Sequence, residues 1–126
     1  MDEYYEQIHD DILSRFSDKF RASLEINDGW LDLIYRLHTK LAYISPEYKL
    51  HHVKQKFGVL RYYATYVPDE SEEYPETMEF IFNDIIALAE INSQIICETC
   101  GRWGEMVTKG YSVYVACDEH KDRLFP

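Results

Sequence analysis

Cys97, Cys100, Cys117 and His120, near the C-terminus, follow the spacing C-x2-C-x16-C-x2-H, and they are the residues of this chain whose types point most directly to metal chemistry. Tetrahedral zinc takes four nitrogen or sulfur ligands, and a two-residue gap lets a tight backbone knuckle aim both members of a pair at one point. Gly101 follows the second cysteine, where such a knuckle turns left-handed. Between the pairs, Arg102-Trp103-Gly104 precedes a turn signal at Lys109-Gly110 and the alternating run Tyr111-Ser112-Val113-Tyr114-Val115. That is the pattern of a short β-hairpin closing a zinc ribbon. Three thiols and one imidazole fill all four positions, whereas catalytic zinc keeps one open for water. The expectation is therefore a structural Zn2+, with Glu98, Glu105 and Glu119 nearby but no activated water for them to serve. The chain has three cysteines, all in this window, an odd number that argues against a disulfide framework.

Other groups carry less. His9-Asp10-Asp11 and His51-His52 are of types that bind metals or move protons, but neither has a convergent partner in the sequence, and both read as exposed histidines. His38 reads as a helix-flank or core residue. There is no phosphate-cradling glycine loop, no nucleophile elbow and no His-Glu-x-x-His, so no enzymatic activity is expected.

Charge is unevenly distributed along the 126 residues, whose formal total is −10. No lysine or arginine lies between Tyr62 and Gly101, against the acids Asp69, Glu70, Glu72, Glu73, Glu76, Glu79, Asp84, Glu90 and Glu98. Asp2, Glu3, Glu6, Asp10 and Asp11 open the chain, while Lys49, His51, His52, Lys54, Lys56 and Arg61 form a basic stretch. A field of this kind repels nucleic acid and steers basic proteins toward the surface. The start Met1-Asp2-Glu3 is acidic where a targeting signal would be basic, and no apolar run is long enough for a membrane. The expectation is a soluble, cytoplasmic protein.

The elements that must position the ligands follow from periodicity. Tyr4, Ile8, Ile12, Phe16, Phe20 and Leu24 recur at helical spacing, predicting a long helix whose apolar stripe either wraps the surface or is straightened by a bend near Ser17-Asp18. Asn27-Asp28-Gly29 breaks that run and caps a second helix, with Trp30, Leu33, Ile34, Leu37, Leu41 and Ile44 on one face, ending at Ser45-Pro46. The β-rich stretch from His51 to Val67 predicts a hairpin turning at Gly58. After a polar loop over Asp69 to Tyr74, a third helix starts at about Pro75 and buries Met78, Ile81, Phe82, Ile85, Leu88, Ala89 and Ile95. The expected fold is α+β: about three helices and a β-hairpin over residues 1–95, with a zinc ribbon over 96–126 packed on it.

Three segments, Asp28-Gly29-Trp30, Lys56-Phe57-Gly58-Val59-Leu60-Arg61-Tyr62, and the pair Cys97-Glu98-Thr99-Cys100-Gly101 with Cys117-Asp118-Glu119-His120, resemble the shared outline of a group of small bacterial and phage proteins. The resemblance covers most of the chain after residue 27. It implies zinc and a phage or prophage context, and transfers no activity. The group often has two glycines after the phenylalanine, where this chain has Gly58-Val59.

These readings converge on a zinc-stapled acidic protein that acts by protein–protein binding. In the sharper form it is an inhibitor of the phage anti-defence or immunity type, aimed at a basic, nucleic-acid-handling partner. The competing expectation is a nucleic-acid-binding zinc ribbon in transcription or DNA transactions, using Lys49, Lys54, Lys56, Arg61, Arg102 and Lys109.

Overall fold

Helix α1 spans Glu3–Ser14, α2 Leu31–Ile44 and α3 Pro75–Ser93; one hairpin pairs β1 (Lys49–Lys56) with β2 (Val59–Thr65), and another pairs β3 (Glu105–Lys109) with β4 (Ser112–Ala116). This computed structural model describes residues 3–122, so Met1 and Asp2 of the acidic start lie outside the described residues. The architecture is the expected α+β one, with three helices, two small antiparallel sheets and the Cys/His cluster at the C-terminal end. Among the described residues no helix is long and apolar enough to cross a membrane.

The first hairpin turns at Phe57 and Gly58, with φ of 55° and 80°. Two successive left-handed residues are what a two-residue loop needs to match the twist of the flanking strands. The register of β1 shifts between Leu50 and His52. This irregularity lets Leu50 and Val53, an odd number of places apart, both point inward, opposite Ala64 and Tyr62. They share one core with Leu60, with Ile34, Leu37 and Leu41 of α2, and with Phe82, Ile86 and Ala89 of α3.

The outer edge of β1 decides the fate of the N-terminal segment. The predicted long helix stops at Ser14. Beyond it, Leu50 N–H donates to Arg15 O at 2.9 Å, Ser17 N–H to Leu50 O at 2.8 Å, and Glu25 N–H to Val53 O at 2.9 Å. Phe16 and Glu25 thereby form parallel bridges to Leu50 and Lys54. Continuing the helix would have left the backbone groups of this edge unpaired, and that demand overrides the helical repeat. The second helix also starts differently from expectation. Asn27 makes no side-chain cap, and a short 3-10 turn over Asp28–Trp30 leads into α2. Its C-terminus falls where Ser45-Pro46 placed it, with buried Ser45 exchanging hydrogen bonds with the backbone of Val67.

The edge of β2 is satisfied by side chains of α3. Ser93 Oγ accepts from Leu60 N–H at 3.0 Å and donates to Glu90 O, and Glu90 Oε2 accepts from Tyr62 N–H at 3.0 Å. These contacts fix the rotation of the helix and correct the predicted face. Phe82, Ile86, Ala89 and Ser93 are buried, whereas Ile81, Leu88 and Ile95 are exposed. Because α3 is apolar on more than one side, periodicity alone could not choose between its faces. Ser93→Ala removes the acceptor from a buried N–H and should lower the unfolding free energy by about 1–3 kcal/mol. Urea denaturation checks this, and an unchanged midpoint would refute the role given to Ser93.

Candidate metal centre

The first knuckle is closed by Gly101 N–H donating to Cys97 O at 2.9 Å, with Gly101 at φ 81°. The second is closed by the N–H groups of His120 and Lys121, both donating to Cys117 O. Hairpin β3–β4 spans the gap, turning at Gly110 as the sequence indicated. The four expected ligands are brought together, with their donor atoms all within 4.8 Å of one another. Cys97 Sγ lies 3.6 Å and Cys117 Sγ 3.2 Å from His120 Nδ1, and Cys100 Sγ lies 3.7 Å from Cys117 Sγ. A tetrahedral ion bound at about 2.0–2.3 Å by three sulfurs and a nitrogen needs donor–donor edges of about 3.5–3.8 Å; two of these separations lie in that range and one is shorter, so the cluster could hold a metal ion. The sulfurs are too far apart for a disulfide, whose bond is about 2.05 Å.

Electrostatics prepare the site. Burial raises the Cys97 thiol, but backbone N–H groups of Cys117, Cys100 and Thr99, with His120, overcome this and bring it down to about 6. The backbone N–H of Arg102 acts to lower Cys100, but burial and the adjacent Cys117 and Cys97 sulfurs raise it instead. Cys97 is also the most buried of the four residues. Thiols that ionise on binding release protons, so acid competes with the metal.

The cluster is seated on the body of the protein by contacts that periodicity did not reveal. Gly29 N–H donates to Glu98 O at 2.8 Å, and the buried Trp30 donates its indole N–H to Ile96 O at 2.8 Å. A Cβ on Gly29 would stand 2.3 Å from Cys97 O, so only glycine fits beneath the knuckle. Glu98 is buried and turned toward the hairpins. It accepts from Val115 N–H at 2.7 Å and from Gln55 Nε2, which also donates to Val113 O. Burial raises its carboxyl, and the Val115 and Gln55 hydrogen bonds hold that rise in check. Glu119 pairs with Arg102 at 3.5 Å, and Glu105 is exposed. Asp28-Gly29-Trp30 was visible in the sequence as a helix start, yet its main use is to receive this lobe.

Away from the metal, the structure supplies partners for the histidines. His9 Nδ1 meets Tyr35 Oη, and His51 sits between Ser17 and Thr65. His38 is a core residue in a hydrogen-bonded chain that begins at half-exposed Asp11: its Nε2 is 2.8 Å from Asp11 Oδ2, its Nδ1 2.7 Å from Tyr48 Oη, and Tyr48 Oη 2.7 Å from Tyr62 Oη. Arg15 bonds Asp11 and stacks over the Tyr48 ring. Burial pushes Tyr48 up to about 12 and raises Tyr62 well above its ordinary value, so both hydroxyls stay protonated. Neutral His38 then donates from Nε2 and accepts at Nδ1, with neither nitrogen left to act on a substrate.

Comparison with protein-family models, with curated proteins and with solved structures gives no match to this chain.

Burial lowers His38 below its ordinary 6.5, the attraction of Asp11 opposing this in part. Just below pH 6.5 the unfolded chain thus binds a proton that the folded chain refuses. Stability from neutral His38 is complete above 6.5 and lost as pH falls through the lower, folded-state value. Unfolding free energy measured between about pH 5 and 7 should fall with acid, and His38→Gln should flatten that slope. Equal slopes for both proteins would exclude His38 as its source.

Proposed function

We propose that Cys97, Cys100, Cys117 and His120 hold a structural Zn2+, and that the protein acts by binding another protein through its acidic surface rather than by catalysis. Three thiolates and an imidazole form a donor set suited to zinc. Convergence of four protein donors leaves no coordination position for water or substrate, which favours a staple over a reaction centre. When bound, the ion would contribute folding free energy to a lobe with a small core of its own, Cys97, Tyr114, Ala116 and Cys117.

The binding half rests on one observation, the disposition of charge. Asp69, Glu70, Glu73, Glu76, Glu79 and Asp84 are all exposed, and none has an ion-pair partner among the described residues. Unneutralised acids on one segment attract a basic protein surface and steer its approach. A target that handles nucleic acid presents such a surface, and covering it would make this chain an inhibitor of the anti-defence or immunity type, working in the cytoplasm of a bacterial or phage-infected cell. Nucleic-acid binding is the weaker reading. Of its six candidate cations, Arg61, Arg102 and Lys109 already face Glu90, Glu119 and Asp122 at 3.9, 3.5 and 3.8 Å, and the overall charge of −10 opposes phosphate.

Protein prepared without chelator should contain one zinc per chain by elemental analysis, and Cys100→Ser should lose the metal together with the structure of residues 97–120. Substoichiometric zinc would remove the staple. Basic proteins should be retained on the immobilised chain at low salt, and neutralising Glu72, Glu73 and Glu76 should weaken this. Binding to DNA or RNA that persists at about 0.15 M salt and is lost in Lys56→Glu or Arg61→Glu would overturn the acidic-surface reading.

A further inference from the structure

Helix α3 buries Phe82, Ile86, Ala89 and Ser93, yet the opposite side of the same helix is also apolar. Thr77, Ile81, Asp84, Leu88, Ile91 and Ile95 succeed one another at alternating intervals of four and three residues. That is the spacing of a seam along which two helices pack. The seam faces outward: Ile81 is 39 % exposed, Leu88 55 %, Ile91 59 % and Ile95 44 %. Ile95 carries it past the end of the helix into a groove of about 810 Å3 beside the metal cluster, walled by Leu33, Ile96, Trp103 and Glu119. Trp103, 77 % exposed, stands at that end. An exposed strip of this length, apolar at Ile81, Leu88, Ile91 and Ile95 and interrupted by Asp84, marks a contact surface on a chain otherwise rich in charge.

Charge identifies what covers it. Asp84 stands in the middle of the seam and is exposed, with no ion-pair partner among the described residues. Glu73 and Glu76, with no ion-pair partner among the described residues, lie near one end; at the other, Glu119 and Asp118 are paired with Arg102 and Lys121. A helix laid along the seam would desolvate the Asp84 carboxylate, which is costly unless the incoming helix places a cation against it. A second copy of this chain cannot do so from the same face, because α3 contains neither lysine nor arginine. We propose that the Ile81–Leu88–Ile91–Ile95 face of α3 is the docking seam for an amphipathic, cationic helix of a partner protein, with a lysine or arginine paired to Asp84 and an apolar residue entering the groove beside Trp103. This rests on the protein-binding reading above and gives it a location. Asp84 selects the partner as a single polar position selects partners in a coiled coil, and Glu73 and Glu76 guide its approach.

The test uses the full chain with its metal content verified, and a labelled synthetic helical peptide of about 20 residues carrying leucines at the seam spacing and one central lysine. A second peptide has glutamate in place of that lysine. Fluorescence anisotropy should show the lysine peptide binding at least about tenfold tighter, the ratio expected of a partly desolvated ion pair. Asp84→Lys should reverse the preference, and Leu88→Glu with Ile91→Glu should abolish binding of both peptides. These side chains are exposed, so circular dichroism and metal content should stay unchanged in the variants. Failure of the lysine peptide to bind, equal affinity for the two peptides, or binding that survives the double variant would overturn the proposal. So would a concentration-dependent dimer that Leu88→Glu dissolves, because the seam would then belong to a second copy. If basic proteins are retained and Leu88→Glu leaves this unchanged, while neutralising Glu72, Glu73 and Glu76 removes it, protein binding stands and the seam is not its site.

Discussion

A two-stranded sheet has as many open edges as strands, and an isolated hairpin is marginal in water. The hairpin β1–β2 sits at the centre of this protein, and much of the rest of the fold is arranged to satisfy it. Residues 15–25 abandon the helix begun by α1 and run along β1, exchanging backbone hydrogen bonds with Leu50, Val53 and Gln55. On the other side no strand is available, and Ser93 and Glu90 of α3 take over the N–H groups of Leu60 and Tyr62. Beyond the hairpin, Gln55 and Glu98 serve the same purpose toward β4. Polar side chains placed at a few positions thus stand in for strands that a chain of this size does not have.

The second hairpin depends on a different solution. With few buried residues of its own, it is organised by the Cys/His cluster and by its seat on Gly29 and Trp30. The approach of the 97–98 backbone to Gly29 is too close for any side chain, and the Trp30 indole fixes the orientation through Ile96 O. The turn of the first hairpin adds to this packing, since Gly58 lies against Val113 and Met106. The Cys/His cluster and the helical body therefore meet through backbone hydrogen bonds and close approach at Gly29, an arrangement that tolerates little displacement.

One consequence reaches the surface. Because Ser93 and Glu90 must face β2, the rotation of α3 is set by the hairpin and not by the helix's own apolar distribution. Leu88, Ile91 and Ile95 are left outside as a result, in a segment whose charges are all negative. The constraint that completes the core thus also creates the apolar, acid-flanked face on which binding is proposed.

The sequence by itself determined the features that rest on local geometry. Spacing marked Cys97, Cys100, Cys117 and His120 as residues that the fold would bring together, because knuckle conformation depends on two-residue gaps and a following glycine. Gly58 marked the hairpin turn, Pro75 the start of α3 and Ser45-Pro46 the end of α2, each through backbone preferences of single residues. Tertiary structure alone decided where α1 ends, which face of α3 is buried, what Asp28-Gly29-Trp30 is for, and that one hydrogen-bonded chain runs from half-exposed Asp11 through His38 and Tyr48 to Tyr62. Those outcomes depend on backbone groups and side chains far apart in sequence competing for the same hydrogen bonds. A periodic pattern records that a helix has an apolar side, but the partner that claims that side is fixed only when the chain has closed around β1 and β2.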